Sequence, residues 1–260
     1  MTSFRKSHAC FIITLALLIV LPVLAQPITS YYTNETPNVA QPSTFNEIVL
    51  EANQPDTFNI YNTNGTPPSM SGSSAIFYGS DSTNMYSDIV SFTTIKAEKS
   101  LTLEASATVG IKSLSNIGED QFAIFTTDDT TKYKSDEFGF VLPETGNTWY
   151  AYIQSPGIPR FFVWQPVITL ESSGLTHHSF KAVYSSLGLM HIVDFYVDGK
   201  LVWTALYPNT SGHGFHMVMT LHKVSAENID ISQNTMVIGN ACLTDSSTNN
   251  SQNLSYFNVL

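Results

Sequence analysis

The sequence predicts an all-β protein, folded as a two-sheet antiparallel β-sandwich or barrel. Three observations carry this expectation. Phe195-Tyr196-Val197-Asp198-Gly199-Lys200-Leu201-Val202-Trp203 sets two alternating apolar runs on either side of an Asp-Gly pair, the strongest short-range signal for a hairpin. In residues 100–109, Leu101, Leu103, Ala105, Ala107 and Val109 alternate with Thr102, Glu104, Ser106 and Thr108, the period of a strand with one buried face. No window longer than about ten residues keeps an apolar stripe at i, i+3, i+4, so helices have no support.

The elements follow in order. Residues 57–61 and 74–78 read as early strands, and 88–95 and 100–109 come next. Residues 120–126 form an apolar strand with Phe122, Ile124 and Thr126 on one side. Residues 137–142 and 148–154 pair through a turn at Pro143, Glu144, Thr145 and Gly146. Strands at 160–164, 178–184 and the 192–197/201–205 hairpin follow, then 215–222 and 236–238. A polar tract from Thr244 to Asn253 leads to a closing strand at 254–260. A dozen short strands separated by turn residues suit a two-sheet antiparallel architecture.

The chain has 260 residues, and the first 25 read as an export signal. Arg5 and Lys6 supply a positive start, Phe11 to Val23 is apolar, and Val23-Leu24-Ala25 ends in the small residue a signal peptidase favours. The apolar run is too short for a comfortable membrane span. Residues 26–45, with Pro27, Pro37 and Pro42 among Thr, Ser and Asn, read as an extended linker. Residues 46–260 are then one domain, large enough to bury a full core. Cys10 leaves with the signal, so Cys242 has no intramolecular partner and reads as a small buried hydrophobe. The net charge is −10, and removing Arg5 and Lys6 takes the mature chain to about −12. That balance disfavours nucleic acid and anionic membrane surfaces and permits calcium. Asn64, Asn209, Asn249 and Asn253 open glycosylation sequons, the first weakened by Pro67.

His178-Ser179-Phe180-Lys181-Ala182-Val183-Tyr184 precedes Phe195-Tyr196-Val197-Asp198-Gly199; Phe215-His216-Met217-Val218-Met219-Thr220-Leu221 and Ser255-Tyr256-Phe257-Asn258-Val259 follow. This succession resembles the concanavalin A-like lectin/glucanase superfamily, in its branch of laminarinase-type endoglucanases and LamG-like modules. The resemblance spans roughly residues 74–260 and implies a concanavalin A-like jelly roll, with the 215–221 strand lining a sugar cleft. The hydrolases of that branch carry Glu-x-Asp-x-x-Glu on one strand, two carboxyl groups roughly 5–5.5 Å apart being what retaining hydrolysis needs. The matching strand is Asp136-Glu137-Phe138-Gly139-Phe140-Val141-Leu142. Glu137 takes the nucleophile position, Gly139 replaces the assisting Asp, and Leu142 replaces the acid/base Glu. A catalytic chain would therefore have to draw on Glu137 with Glu144 or Glu119.

Trp149, Tyr150, Tyr152, Phe161, Phe162 and Trp164 cluster in the same region. Sugar rings stack their C–H faces on exposed aromatics while polar neighbours fix orientation. On a regular strand Trp149 and Ala151 face opposite to Tyr150 and Tyr152, so one set is core and the other could line a site. The candidate glycan-binding residues are Trp149, Tyr150, Tyr152, Trp164, Glu137 and His216. The seven histidines include no zinc-type spacing, and His216 and His222 share a strand face too far apart to share an ion. Asp128-Asp129 and Asp81-Ser82-Thr83-Asn84 are oxygen-rich loops that read first as ordinary polar turns; no cofactor is expected, although the resemblance allows a structural calcium at either loop. No Gly-x-Ser-x-Gly elbow and no phosphate-cradling loop is present. The sequence thus predicts a secreted or cell-surface, non-catalytic, lectin-like module whose partner is a polysaccharide or other glycan. The alternatives are a hydrolase with displaced carboxylates and a structural adhesion module of a cell envelope.

Overall fold

Two antiparallel sheets of eight strands each form a jelly-roll β-sandwich in the computed structural model, which describes residues 47–52, 57–79, 85–111, 120–128, 136–143, 147–155, 161–170, 174–187, 190–207, 213–223 and 235–245. The predicted leader (1–25), linker (26–45) and closing strand (254–260) lie outside the described residues, as do Glu119, Asp129, Glu144 and residues 81–84. In chain order the strands are β1 (Glu47–Val49), β2 (Phe58–Thr63), β3 (Ser69–Ser71), β4 (Ser74–Tyr78), β5 (Met85–Ser91), β6 (Ile95–Lys96), β7 (Ser100–Ile111), β8 (Asp120–Thr127), β9 (Glu137–Leu142), β10 (Thr148–Ser155), β11 (Phe161–Thr169), β12 (Gly174–Leu187), β13 (Met190–Val197), β14 (Lys200–Leu206), β15 (Gly214–Lys223) and β16 (Thr235–Asp245). Sheet A runs β14-β13-β12-β7-β16-β4-β3, with β1 also on β16; sheet B runs β11-β10-β9-β8-β15-β5-β2, with β6 also on β15.

Alternation decides which residues meet between the sheets. The apolar set read in β7, Leu101 to Val109, is buried inside, and so are Phe122, Ile124 and Thr126 of β8. Aromatic rings bridge the layers. Phe140 of β9 packs on Phe180 of β12 and Phe195 of β13, with ring centroids 4.9 and 5.4 Å apart, the second pair nearly perpendicular. Such edge-to-face contacts add to the area each ring buries.

The predicted Asp-Gly hairpin forms between β13 and β14. Asp198 and Gly199 both take positive φ, 51° and 73°, which a turn matched to the strand twist requires. The Asp198 carboxylate reaches back to β12, accepting the Ser179 N–H and a His178 imidazole N–H, both at 2.9 Å. Partial burial pushes this carboxyl up, but the hydrogen bonds from Ser179 and His178 outweigh it and hold it below its ordinary range. A depressed carboxyl contributes stability above its unfolded pKa and loses it as pH falls through the folded value. Asp198 is half exposed, so Asp198→Asn is expected to cost less than about 1 kcal/mol at neutral pH. The gap from wild type should close in acid, as read by urea midpoints, and a gap that stays constant with pH would disprove the ionic clip.

Three departures from the sequence reading have physical causes. β1 and β3 escape detection because three residues carry no periodicity. β11 runs through Pro166 to Thr169; it is an edge strand, where a missing N–H is tolerated, and the register shifts opposite Trp149 and Tyr150. β16 continues to Asp245 through residues read as the start of a polar tract. A bulge between Gly239 and Cys242, with Asn240 at φ 51°, resets its register on β7. Cys242 faces Glu47 of β1, and burial pushes its thiol up to about 12, which makes it inert.

Candidate functional site

The outer face of sheet B gathers most of the predicted site residues. Because Trp149, Ala151 and Ile153 of β10 point into the core, Tyr150, Tyr152 and Gln154 point out. Strand pairing then extends two rows across the sheet. One row reads Phe162, Gln154, Glu137, Thr127 and His216; the next reads Trp164, Tyr152, Gly139, Phe125 and Val218. The aromatic members form a connected ladder. Tyr150 and Trp164 have ring centroids 5.0 Å apart and tilted by 32°, Phe162 and Trp164 are 5.7 Å apart, and Tyr152 contacts Phe162 at 6.1 Å and Phe125 at 6.2 Å.

Tyr150, Phe162, Trp164 and His216 are half-buried on this face. Tyr152 and Glu137 lie on it but are buried, at 1 and 5 % exposure, with Gln154 and Thr127 buried beside them. The His216 imidazole N–H donates to the Ser91 carbonyl at 2.7 Å, which fixes the ring at the end of β15. Trp149 belongs elsewhere and is corrected here. It is 1 % exposed and packs against Phe180 between the sheets, with ring centroids 4.9 Å apart and tilted by 45°, so it is a core residue. Phe162, absent from the predicted set, replaces it, and its place follows only from the register of β11 on β10.

The two positions where hydrolases carry further carboxylates have structural reasons for their residues. A Cβ on Gly139 would lie 2.3 Å from the Ile124 carbonyl oxygen and 2.5 Å from the Phe125 Cα, far inside van der Waals contact. Leu142 points into the core. On the same outer face the nearest sequence-distant acid described is Asp88 of β5, which accepts hydrogen bonds from Thr220 and, at 2.7 Å, from His222. The register sets Asp88 three strands and four residues from Glu137, about 19 Å by strand spacing and rise. Paired catalytic carboxyls sit about 5–9.5 Å apart.

At the rim, where β8 ends and β9 and β15 begin, Asp128, Asp136 and His213 converge. Asp136 N–H donates to Asp128 Oδ1 at 2.6 Å, and Asp128 N–H donates to the Asp136 carbonyl at 3.1 Å. The His213 Nδ1–H donates to Asp128 Oδ2 at 2.7 Å and stands 3.5 Å from Asp136 Oδ2. Burial raises the Asp128 carboxyl above its ordinary range; the Asp136 N–H opposes this and the Asp136 carboxylate adds to it. The hydroxyl of Tyr207, from the end of β14, is buried close by. Burial, then the charges of Asp136, Asp128 and Glu137, push that phenol well up. No spacing rule links His213 to Asp128, 85 positions away; only the pairing of β15 with β8 unites them.

Comparison with solved structures gives whole-domain matches. The Emp47p carbohydrate recognition domain superposes with a TM-score of 0.55 at 11 % identity, covering 80 % of this chain and 98 % of that one. The endo-1,3-beta-glucanase from Streptomyces sioyaensis gives 0.55 at 9 %, covering 82 and 100 %. The fold is the concanavalin A-like sandwich. The Bacillus licheniformis beta-glucanase adds a third match, at 0.52 and 13 %, covering 78 and 99 %. No protein-family model matches the sequence, and no curated protein matches it. Among the described residues of this concanavalin A-like sandwich, no helix is long and apolar enough to cross a membrane.

Proposed function

We propose that this concanavalin A-like sandwich binds a glycan chain on the outer face of sheet B without cleaving it, as a secreted or cell-surface protein. The observation that carries the reading is the half-exposed ladder of Tyr150, Trp164 and Phe162. A core needs its rings between the layers; these rings stand outside them, where sugar C–H faces can stack and the neighbouring polar row can orient hydroxyls. Gly139 supports the non-catalytic side of the proposal, because backbone occupies the space an assisting carboxylate would need. The leader-like residues 1–25 support export.

A glycan array with residues 26–260, followed by a reducing-end assay on every hit, tests this. Binding without release is expected. Trp164→Ala should weaken binding roughly tenfold, the worth of a well-stacked ring, with the melting temperature nearly unchanged because Trp164 lies on an edge strand. Unchanged affinity in Trp164→Ala and Tyr150→Ala would remove the ladder from the site. Released reducing ends would favour the hydrolase with Glu137 as its nucleophile, and a silent array would favour an adhesion module of the cell envelope.

A further inference from the structure

The fold resemblance allows a structural calcium, yet the rim cluster does not suit it. Calcium takes about 6–8 oxygen ligands. Asp128, Asp136 and His213 offer two carboxylates and an imidazole nitrogen, and the ligand atoms of the three lie within 4.8 Å of one another. We propose that Asp128, Asp136 and His213 form a binding site for a divalent transition metal of the zinc class.

Geometry supports this first. Zinc holds nitrogen and oxygen ligands at about 2.0–2.2 Å, which sets tetrahedral ligand–ligand edges near 3.3 Å. His213 Nδ1 and Asp136 Oδ2 already stand 3.5 Å apart. His213 Nδ1 and Asp128 Oδ2 are 2.7 Å apart across a hydrogen bond, and they need to open by only about 0.6 Å to reach that edge. The metal would bind Nδ1 of the neutral imidazole, whose single hydrogen then sits at Nε2.

Burial supports it independently. Asp136 is 6 % exposed, and its Oδ1 has no hydrogen-bond partner among the described residues. The Tyr207 hydroxyl is buried in the same condition. Its ring packs edge-on against Phe138, two residues along the chain from Asp136, with centroids 5.6 Å apart, and the charges of Asp136 and Asp128 reach it. Buried polar atoms without partners are rare in folded proteins. One of them on a clustered carboxylate and the other on a tyrosine packed beside it are accounted for by a cation bound to Asp136, with a metal-bound water reaching Tyr207. The ligands directly flank β8, β9 and β15, so the ion would tie three adjacent strands of sheet B at one end. The inference stands apart from the glycan reading, and its test involves no glycan.

The test uses tag-free protein (residues 26–260), stripped with chelator and titrated separately with zinc chloride, cobalt chloride and calcium chloride. Expected are one zinc per chain, a raised melting temperature with zinc and none with calcium, and the visible absorption of four-coordinate cobalt. His213→Ala and Asp136→Asn should each weaken zinc binding at least tenfold. Binding of calcium in preference to zinc, or no stoichiometric binding by the wild type, would overturn the site, and neither result depends on a variant folding. Unchanged zinc affinity in a folded His213→Ala protein would also overturn it.

Discussion

Gly139→Asp, which writes the assisting carboxylate of the glucanases into this strand, is expected to unfold the domain and yield no hydrolase. The reason lies in β9 and β8. They pair with Gly139 opposite Phe125, and the same row continues onto β10 with Tyr152 beside it. A Cβ at this position would meet the Ile124 carbonyl oxygen at 2.3 Å and Phe125 backbone and side chain at 2.5 Å. Backbone in the middle of a sheet cannot swing aside as a long side chain can. Overpacking typically costs about 1–3 kcal/mol where side chains can give, so a clash with ladder backbone should exceed that range. Burying a carboxylate beside Phe125 without a partner adds several kcal/mol more. Domains hold only about 5–15 kcal/mol in reserve. Gly139→Ala, which carries the clash without the charge, separates the two terms. Far-ultraviolet circular dichroism and thermal melts read the outcome. A Gly139→Asp protein melting within a few degrees of wild type would show that β8 and β9 can part at no great cost, and the structural argument against a second carboxylate would fall.

Trp149→Ala should be the most damaging of the aromatic truncations, and it should damage stability only. Trp149 is fully buried and packs at a tilt against Phe180 across the sandwich, where Phe180 also meets Phe140. Removing the indole leaves a cavity at the junction of both sheets, and truncations of buried Trp or Phe cost about 3–5 kcal/mol. Trp164→Ala, one strand away on the outer face, should cost well under half of that and fall on binding. The contrast is decisive because both residues lie within the same β10–β11 pair. Urea unfolding gives the stability difference and glycan titration of the folded fraction gives the affinity. A Trp149→Ala protein of near wild-type stability that had lost its glycan would put the indole at the site after all.

The hairpin at Asp198 and the faces of β7 and β8 were legible because each depends on neighbours in sequence: turn chemistry and period-2 alternation are local. The orientation of Glu137 was not. Alternation separates Glu137, Gly139 and Val141 from Phe138, Phe140 and Leu142 but does not say which set faces out when both are apolar enough to bury. β9 is buried on both faces, so polarity gave no hint. Trp149 and Tyr150 posed the same problem, and the core took the larger ring. Pro166 hid the second half of β11, since proline ends strands everywhere except at edges. The rim cluster was illegible for another reason: Asp136 and His213 lie in different hairpins and meet only once β15 has paired with β8.

The pairing of β1 with β16 carries a consequence in time. Glu47 aligns with Thr244, and its side chain accepts the thiol of Cys242, 195 positions further along. A chain emerging at about 5–20 residues per second keeps β1 waiting roughly 10–40 s for that partner. β4 and β7 wait as well, since β16 lies between them. Sheet A therefore cannot close before β16 has emerged, and the sandwich should then fold at the millisecond-to-second pace of proteins dominated by distant pairings. Until then three strands of sheet A have open edges, and a nascent chain interrupted before residue 235 would be left with them.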